Sequence, residues 1–132
     1  MGKGIQKFNY IKIDRKYLAS MEKGINSEDD EWVQNLIHIM EKVLKLKQRI
    51  TYTYDFKLFN KYGNPSDTVS RGDWGGCSPN EGFIWINAKK HKKSPKQELA
   101  NTVIHEMLHI KNPTKSESWI RRETEKYVAI GE

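Results

Sequence analysis

Residues 94–113 read Ser94-Pro-Lys-Gln-Glu-Leu-Ala-Asn-Thr-Val-Ile-His-Glu-Met-Leu-His-Ile-Lys-Asn-Pro113. Ser94 at the cap, Pro95 at the first helical position and Gln97 at the third open a helix. It continues through His109 until Pro113 stops it. At about 100° per residue, Leu99, Ala100, Val103, Ile104, Met107, Leu108 and Ile110 cover one side, while Thr102, His105, Glu106 and His109 share the other. The spacing predicts a helix that buries one face and presents two histidines and a glutamate on the opposite one.

Two histidines at i and i+4 stand one turn apart, so both imidazoles can reach one metal ion. Glu106 follows the first of them and lies beside that face. It can take a proton from a metal-bound water and hand it to a leaving amine. His105, Glu106 and His109 therefore point to a zinc-dependent hydrolase, with the histidines as metal ligands and Glu106 as the catalytic base. The bland alternative is a pair of histidines that merely sit near a glutamate.

Zinc hydrolases hold the metal with three protein ligands and keep a fourth position for water. No histidine follows His109, so the extended pattern with a third histidine is absent. The third ligand is then a carboxylate or Cys77. Downstream stand Glu117, Glu123 and Glu125. If the last two helices form a hairpin turning near Pro113, residues equidistant from the turn lie level. Residues 117–121 then face the histidines, which favours Glu117. Glu123 lies further along but shares a face with Trp119, Ile120 and Tyr127, and it stays the alternative. For a donor to the developing oxyanion, Tyr127, His91 and Arg121 are available, and none is preferred. His38, alone on a long helix, reads as structural or exposed.

Moving outward, Phe83 to Asn87 is a short, buried strand, and Ser116 caps a last helix running to about Ile130. Lys61 to Gly82, with five glycines and two prolines, reads as turns with a short strand near Val69 and with Cys77 as a turn residue. Ile50 to Phe59 alternates, which places Ile50, Tyr52, Tyr54, Phe56 and Leu58 on one face of a strand. Ser27 with Glu28, Asp29, Asp30 and Glu31 starts a helix extending to about Gln48. Phe8–Asp14 reads as a strand and Lys16–Lys23 as a short helix closed by Gly24. The whole is an α+β chain whose 132 residues suit a single domain over 1–132.

The hydrophobic share is 36%, the charged share 30% and the aromatic share 11%, a polar composition that still folds. One cysteine excludes an intramolecular disulfide framework and favours a reducing compartment, so a cytoplasmic location is expected. No run approaches the roughly 18 apolar residues of a membrane span, and the start of the chain carries no apolar signal run. Lys and Arg exceed Asp and Glu by 23 − 17 = 6. The run Lys89-Lys90-His91-Lys92-Lys93 reads as a solvated loop, and a nucleic-acid partner would rest on such charge alone. A monomer acting on a peptide or protein substrate is expected.

Gly82-Phe-Ile-Trp-Ile-Asn87, Thr102-Val-Ile-His-Glu-Met-Leu-His-Ile-Lys-Asn-Pro113 and Ser116-Glu-Ser-Trp-Ile120 together resemble the minigluzincins, minimal zinc metallopeptidase-like proteins of the gluzincin class. The resemblance spans about residues 82–128 and is most specific at His105, Glu106 and His109. It implies a small mixed sheet beside the active-site helix and a following helix whose glutamate is the third zinc ligand. It also implies a latent, zymogen-like state blocked by a flexible segment of the chain. The first 48 residues match no motif, and their helices complete the core. In such peptidases an extended substrate pairs with a strand edge beside the cleft, and Phe83–Asn87 is the candidate strand.

Peptide deformylases share the two histidines and the glutamate and use a cysteine as third ligand, which Gly76-Cys77-Ser78 resembles. Ile104 and Leu108 replace that family's Gln and Asp, and its glycine-rich Gln motif is missing. SprT-like proteases add a further downstream histidine that this chain lacks. A zinc-bearing binding module for nucleic acid or protein, without turnover, is the non-enzymatic alternative. Against it stands Glu106, because a purely structural site needs no base.

Overall fold

The computed structural model describes residues 27–65, 69–92 and 94–130. The strand and helix expected at Phe8–Asp14 and Lys16–Lys23 lie outside the described residues. Three strands, β1 (Thr51–Thr53), β2 (Gly75–Ser78) and β3 (Phe83–Ile86), form one mixed sheet in the order β1-β3-β2. The helices are α1 (Ser27–Val43), α2 (Phe56–Tyr62), α3 (Ala88–His91), α4 (Lys96–Lys111) and α5 (Glu117–Ile130), with a 3-10 turn at Pro79–Glu81. The fold is α+β, as the sequence implied. No helix among the described residues is long and apolar enough to cross a membrane.

Phe83-Ile-Trp-Ile86 is aromatic or β-branched at every position, which suits a strand covered on both faces. All four residues are buried. Thr51 pairs with Phe83 in the parallel ladder to β1, and Gly76 with Trp85 in the antiparallel ladder to β2. Alternation then divides the strand. Ile84 and Ile86 join the large core beneath α1, α4 and α5, while Phe83 and Trp85 pack with Phe59 in a second, smaller core beneath α2. β3 is thus sandwiched between helical layers.

Helix α4 departs from the expected half-buried pattern. Leu99, Val103, Ile104, Met107, Leu108 and Ile110 are buried as foreseen, but so are Thr102 and Glu106 on the motif side. The helix packs against α1, α5, β2 and β3 at once. Ser94 is not its cap: Pro95 occupies that position without a side-chain hydrogen bond, and the Ser94 hydroxyl donates to the His91 carbonyl at 3.0 Å. Ser116 does cap α5, its hydroxyl accepting from the Trp119 N–H at 3.2 Å.

Three boundary expectations fail for local reasons. The strand beginning at Ile50 stops at Thr53, because Asp55 accepts from the Leu58 N–H at 3.2 Å and caps α2. Phe56 and Leu58 therefore cover the smaller core from a helix. Helix α1 ends at Val43 rather than near Gln48: Lys45 turns left-handed (φ 54°), and the Leu46 N–H reaches the Glu41 carbonyl at 3.0 Å while Lys45 reaches Lys42 at 3.2 Å. That is the Schellman closure with lysine where glycine is usual, so the sequence carries no stop signal. Lastly, the strand in the glycine-rich stretch is β2, not a strand near Val69, and Cys77 lies inside it.

One buried polar cluster ties α1 to the sheet. The hydroxyls of Tyr52 and Tyr54 each donate to Asp30 Oδ1 at 2.6 Å, and Gln34 Nε2 donates to Oδ2 at 2.8 Å. Burial above all, reinforced by the neighbouring Tyr52 and Asp30 charges, pushes the Tyr54 hydroxyl well above its ordinary pKa. It therefore stays a donor. Asp30→Ala leaves two buried hydroxyls short of an acceptor and should cost about 3 kcal/mol in urea unfolding. Tyr54→Phe, which leaves Tyr52 on the carboxylate, should cost about 1 kcal/mol. Equal losses in the two variants would contradict the shared-acceptor arrangement.

Candidate metal centre

α4 is the floor of a cleft of about 740 Å³, a size usual for ligand sites. One wall is β2 with the loop before it, and the other is α5. The turn Asn112–Ser116 brings α5 back along α4, and Glu117 in its first turn meets both histidines. Glu117 Oε1 lies 2.6 Å from His105 Nε2 and Oε2 lies 3.0 Å from His109 Nε2. The two Nε2 atoms are 3.2 Å apart. Among the described residues, His105, His109 and Glu117 are the group of donors close enough to share one ion.

This donor set suits a small cation. Two ligand–metal bonds of about 2.0–2.1 Å at a tetrahedral angle separate two imidazole nitrogens by about 3.3 Å, close to the 3.2 Å found. The rings meet edge to face, with centroids 4.9 Å apart and planes at 71°, so their nitrogens converge instead of stacking. Burial is the main reason the His105 pKa is lowered. Glu117 opposes that shift, while His109 and Arg121 add to it. A neutral imidazole is the form that ligates.

Glu106 is nine-tenths buried yet lines the cleft. Burial first, and then the carboxylates of Glu117 and Asp73, push its carboxyl up to about 8. The remaining candidates are placed apart. Glu123 takes the Lys126 ammonium at 2.8 Å and is absent from the cleft lining, whereas Cys77 and Glu125 line the cleft without joining the donor group. Arg121 lines the cleft with its Nε 3.9 Å from Glu117. Tyr127 packs against the large core. His38 is exposed, its Nδ1 3.3 Å from Glu41.

His91 is buried outside the cleft lining, with Nε2 2.9 Å from the Thr102 hydroxyl and Nδ1 3.0 Å from that of Ser94. The basic run expected to be a solvated loop thus contains helix α3 and a buried histidine, although Lys89, Lys90 and Lys92 are exposed. Trp74 lies against the His91 ring at 4.7 Å. Asn87 holds the preceding loop: its Nδ2 donates to the carbonyls of Arg71 at 2.9 Å and Asp73 at 2.8 Å.

Gly75 is the residue the sequence reading missed. A Cβ there would stand 2.7 Å from the Trp85 carbonyl oxygen and 2.8 Å from the Thr102 methyl, with Glu106 Oε2 at 3.6 Å. Only glycine lets β2 approach α4 so closely. The Trp74-Gly75-Gly76 run signalled this, but it reads equally well as a turn. β3 is paired on both sides, so it offers no free edge, contrary to the expectation for Phe83–Asn87. Among the described residues the edge strands are β1 and β2, and β2 is the one that borders the cleft. The Asn87 N–H donates to the Trp74 carbonyl at 2.9 Å, which fixes the alternation. Gly76 and Ser78 bond to β3, while the backbone groups of Gly75 and Cys77 point away from it.

No protein-family model, curated protein or solved structure matches the chain, so function is argued from the residues themselves.

Burial, and secondarily the Lys90 charge, lower the His91 pKa from 6.5 to about 4. The unfolded chain therefore takes up this proton first. Stability should fall as pH drops from about 6.5 towards 4, by on the order of 3 kcal/mol. Urea midpoints across that range should flatten in His91→Gln, which bonds without titrating. An unchanged slope in that variant would remove His91 as the cause.

Proposed function

We propose that the chain is a zinc-dependent peptidase, with His105, His109 and Glu117 holding the metal and Glu106 acting as the base. What carries this reading is the convergence of three donors on one point beside a buried carboxylate, in a cleft bordered by strand β2. A set of two imidazoles and one carboxylate is typical of catalytic zinc, with a position left over for water. When bound, zinc supplies Lewis acidity and acidifies that water.

The chain's own groups divide the remaining work. The cleft between β2 and α5 is wide enough to lay an extended peptide across α4. Glu106, one residue from His105 and opening into the cleft, is placed to accept a proton from water and to return it to the leaving amine. Arg121, the cleft-lining cation beside Glu117, can donate to the carbonyl oxygen as charge builds there. The deformylase reading loses support because Glu117, not Cys77, accompanies the histidines.

The purified protein should hold one zinc per chain by metal analysis, and His105→Ala should lose it. Glu106→Gln should keep the metal while peptide cleavage drops about 10²- to 10⁴-fold. Unchanged metal content in His105→Ala would end the metal assignment. Full activity in Glu106→Gln would end the role of that carboxylate.

A further inference from the structure

Glu106 is nine-tenths buried and opens into the cleft, yet among the described residues it makes no hydrogen bond or ion pair. Buried carboxylates normally collect donors. A donor stands one turn before it on the same helix face, the hydroxyl of Thr102. The point where a Cβ at Gly75 would stand lies 2.8 Å from the Thr102 methyl and 3.6 Å from Glu106 Oε2. Thr102 therefore turns its methyl, not its hydroxyl, towards the side on which the carboxylate lies.

The hydroxyl is engaged elsewhere. A threonine inside a helix can bond the carbonyl four residues back, and Thr124 in α5 does so, donating to the Ile120 carbonyl at 2.7 Å. Thr102 instead meets His91 Nε2 at 2.9 Å. The far side of that ring decides which partner donates. Ser94 has one hydroxyl proton, which goes to the His91 carbonyl at 3.0 Å, so its oxygen, 3.0 Å from Nδ1, is left to accept. The ring proton then sits on Nδ1, and Nε2 accepts from the Thr102 hydroxyl. The ring itself is held in place, since the His91 N–H donates to the Asn87 carbonyl at 3.1 Å and Trp74 lies against the imidazole. His91 is outside the cleft lining, whereas Thr102 and Glu106 belong to it.

Resting on the peptidase reading, we propose that His91 is a positioning residue: by accepting the Thr102 proton it holds that hydroxyl away from Glu106 and leaves both carboxylate oxygens to water and substrate. Rotation of Thr102 about Cα–Cβ can bring the hydroxyl to the place of the methyl, and threonine in a helix divides between two such rotamers. Without an acceptor at position 91 the hydroxyl swings to the Gly75 side and donates to Glu106. A carboxylate that accepts such a bond is a weaker base, with one lone pair taken. The metal and the cleft walls are unaffected by that rotation, so the loss falls on turnover and not on substrate binding.

The test uses the full-length, zinc-loaded protein. Nitrogen NMR of the wild type should find the His91 proton on Nδ1, and three-bond couplings to the Thr102 methyl should find one rotamer, with the methyl on the Gly75 side. In His91→Leu those couplings should move towards the second rotamer. The kcat for a cleaved peptide should then fall about tenfold, with KM and zinc content unchanged. His91→Gln, which keeps an acceptor, should lose much less. The double variant His91→Leu/Thr102→Val has no hydroxyl to swing and should recover most of the lost rate while staying less stable than the wild type, a recovery that general destabilisation does not produce. A proton on Nε2 in the wild type overturns the proposal. So does a Thr102 rotamer indifferent to His91→Leu, or a rate that stays low in the double variant. The wild-type tautomer and rotamer decide the matter even where His91→Leu does not fold. A wild type that cleaves no peptide removes the peptidase reading alone, because tautomer and rotamer are read without substrate.

Discussion

Helix α4 is covered by α1 and the sheet on its apolar side and partly by β2 and α5 on its polar side. Both coverings are needed. Val103, Met107 and Leu108 are almost wholly buried and fix the helix against the large core, so its rotation about its own axis is set by packing. Burying such side chains is worth roughly 1.5–3 kcal/mol each. Rotation by one residue would turn the histidines into the core and bring apolar groups to the cleft. The donor geometry is therefore a consequence of packing on the far side of the helix.

Glycine at position 75 lets the other side close. The strand comes within contact of Thr102 and of Glu106, and that approach desolvates the glutamate without offering it a hydrogen bond. Nearby, His91 fills the space between α3 and Thr102 in its neutral form, and Trp74 rests on it. Loop, short helix and strand edge thus form one wall, joined through Asn87. The cleft has β2 along one wall and charged side chains of α5 along the other.

The polar cluster at Asp30 does comparable work at a distance from the cleft. It anchors the first turn of α1 to the β1 segment by two hydrogen bonds, from the Tyr52 and Tyr54 hydroxyls, while Gln34 of α1 itself bonds the second carboxylate oxygen. Those bonds resist sliding of α1 over the sheet, and α1 in turn packs on α4. The acidic residue that the sequence offered merely as a favourable charge at a helix start is thereby a buried acceptor.

Helix periodicity alone determined α4, its apolar face and the meeting of His105 with His109, because a helix sets residues four apart side by side whatever surrounds it, but not the burial of Thr102 and Glu106 on the motif side. Hairpin geometry likewise brought Glu117 level with them, since a short turn after α4 leaves little choice of register. The class of fold was also legible, from the β-branched and aromatic run at Phe83–Ile86 and the apolar periodicity of the helices. Tertiary structure alone decided the rest. Strand order depends on contacts between distant segments, and it made β3 central and β2 an edge. The end of α1 at a left-handed lysine, the burial of His91 within a lysine run and the close approach at Gly75 likewise arise from neighbours remote in sequence, which no local pattern records.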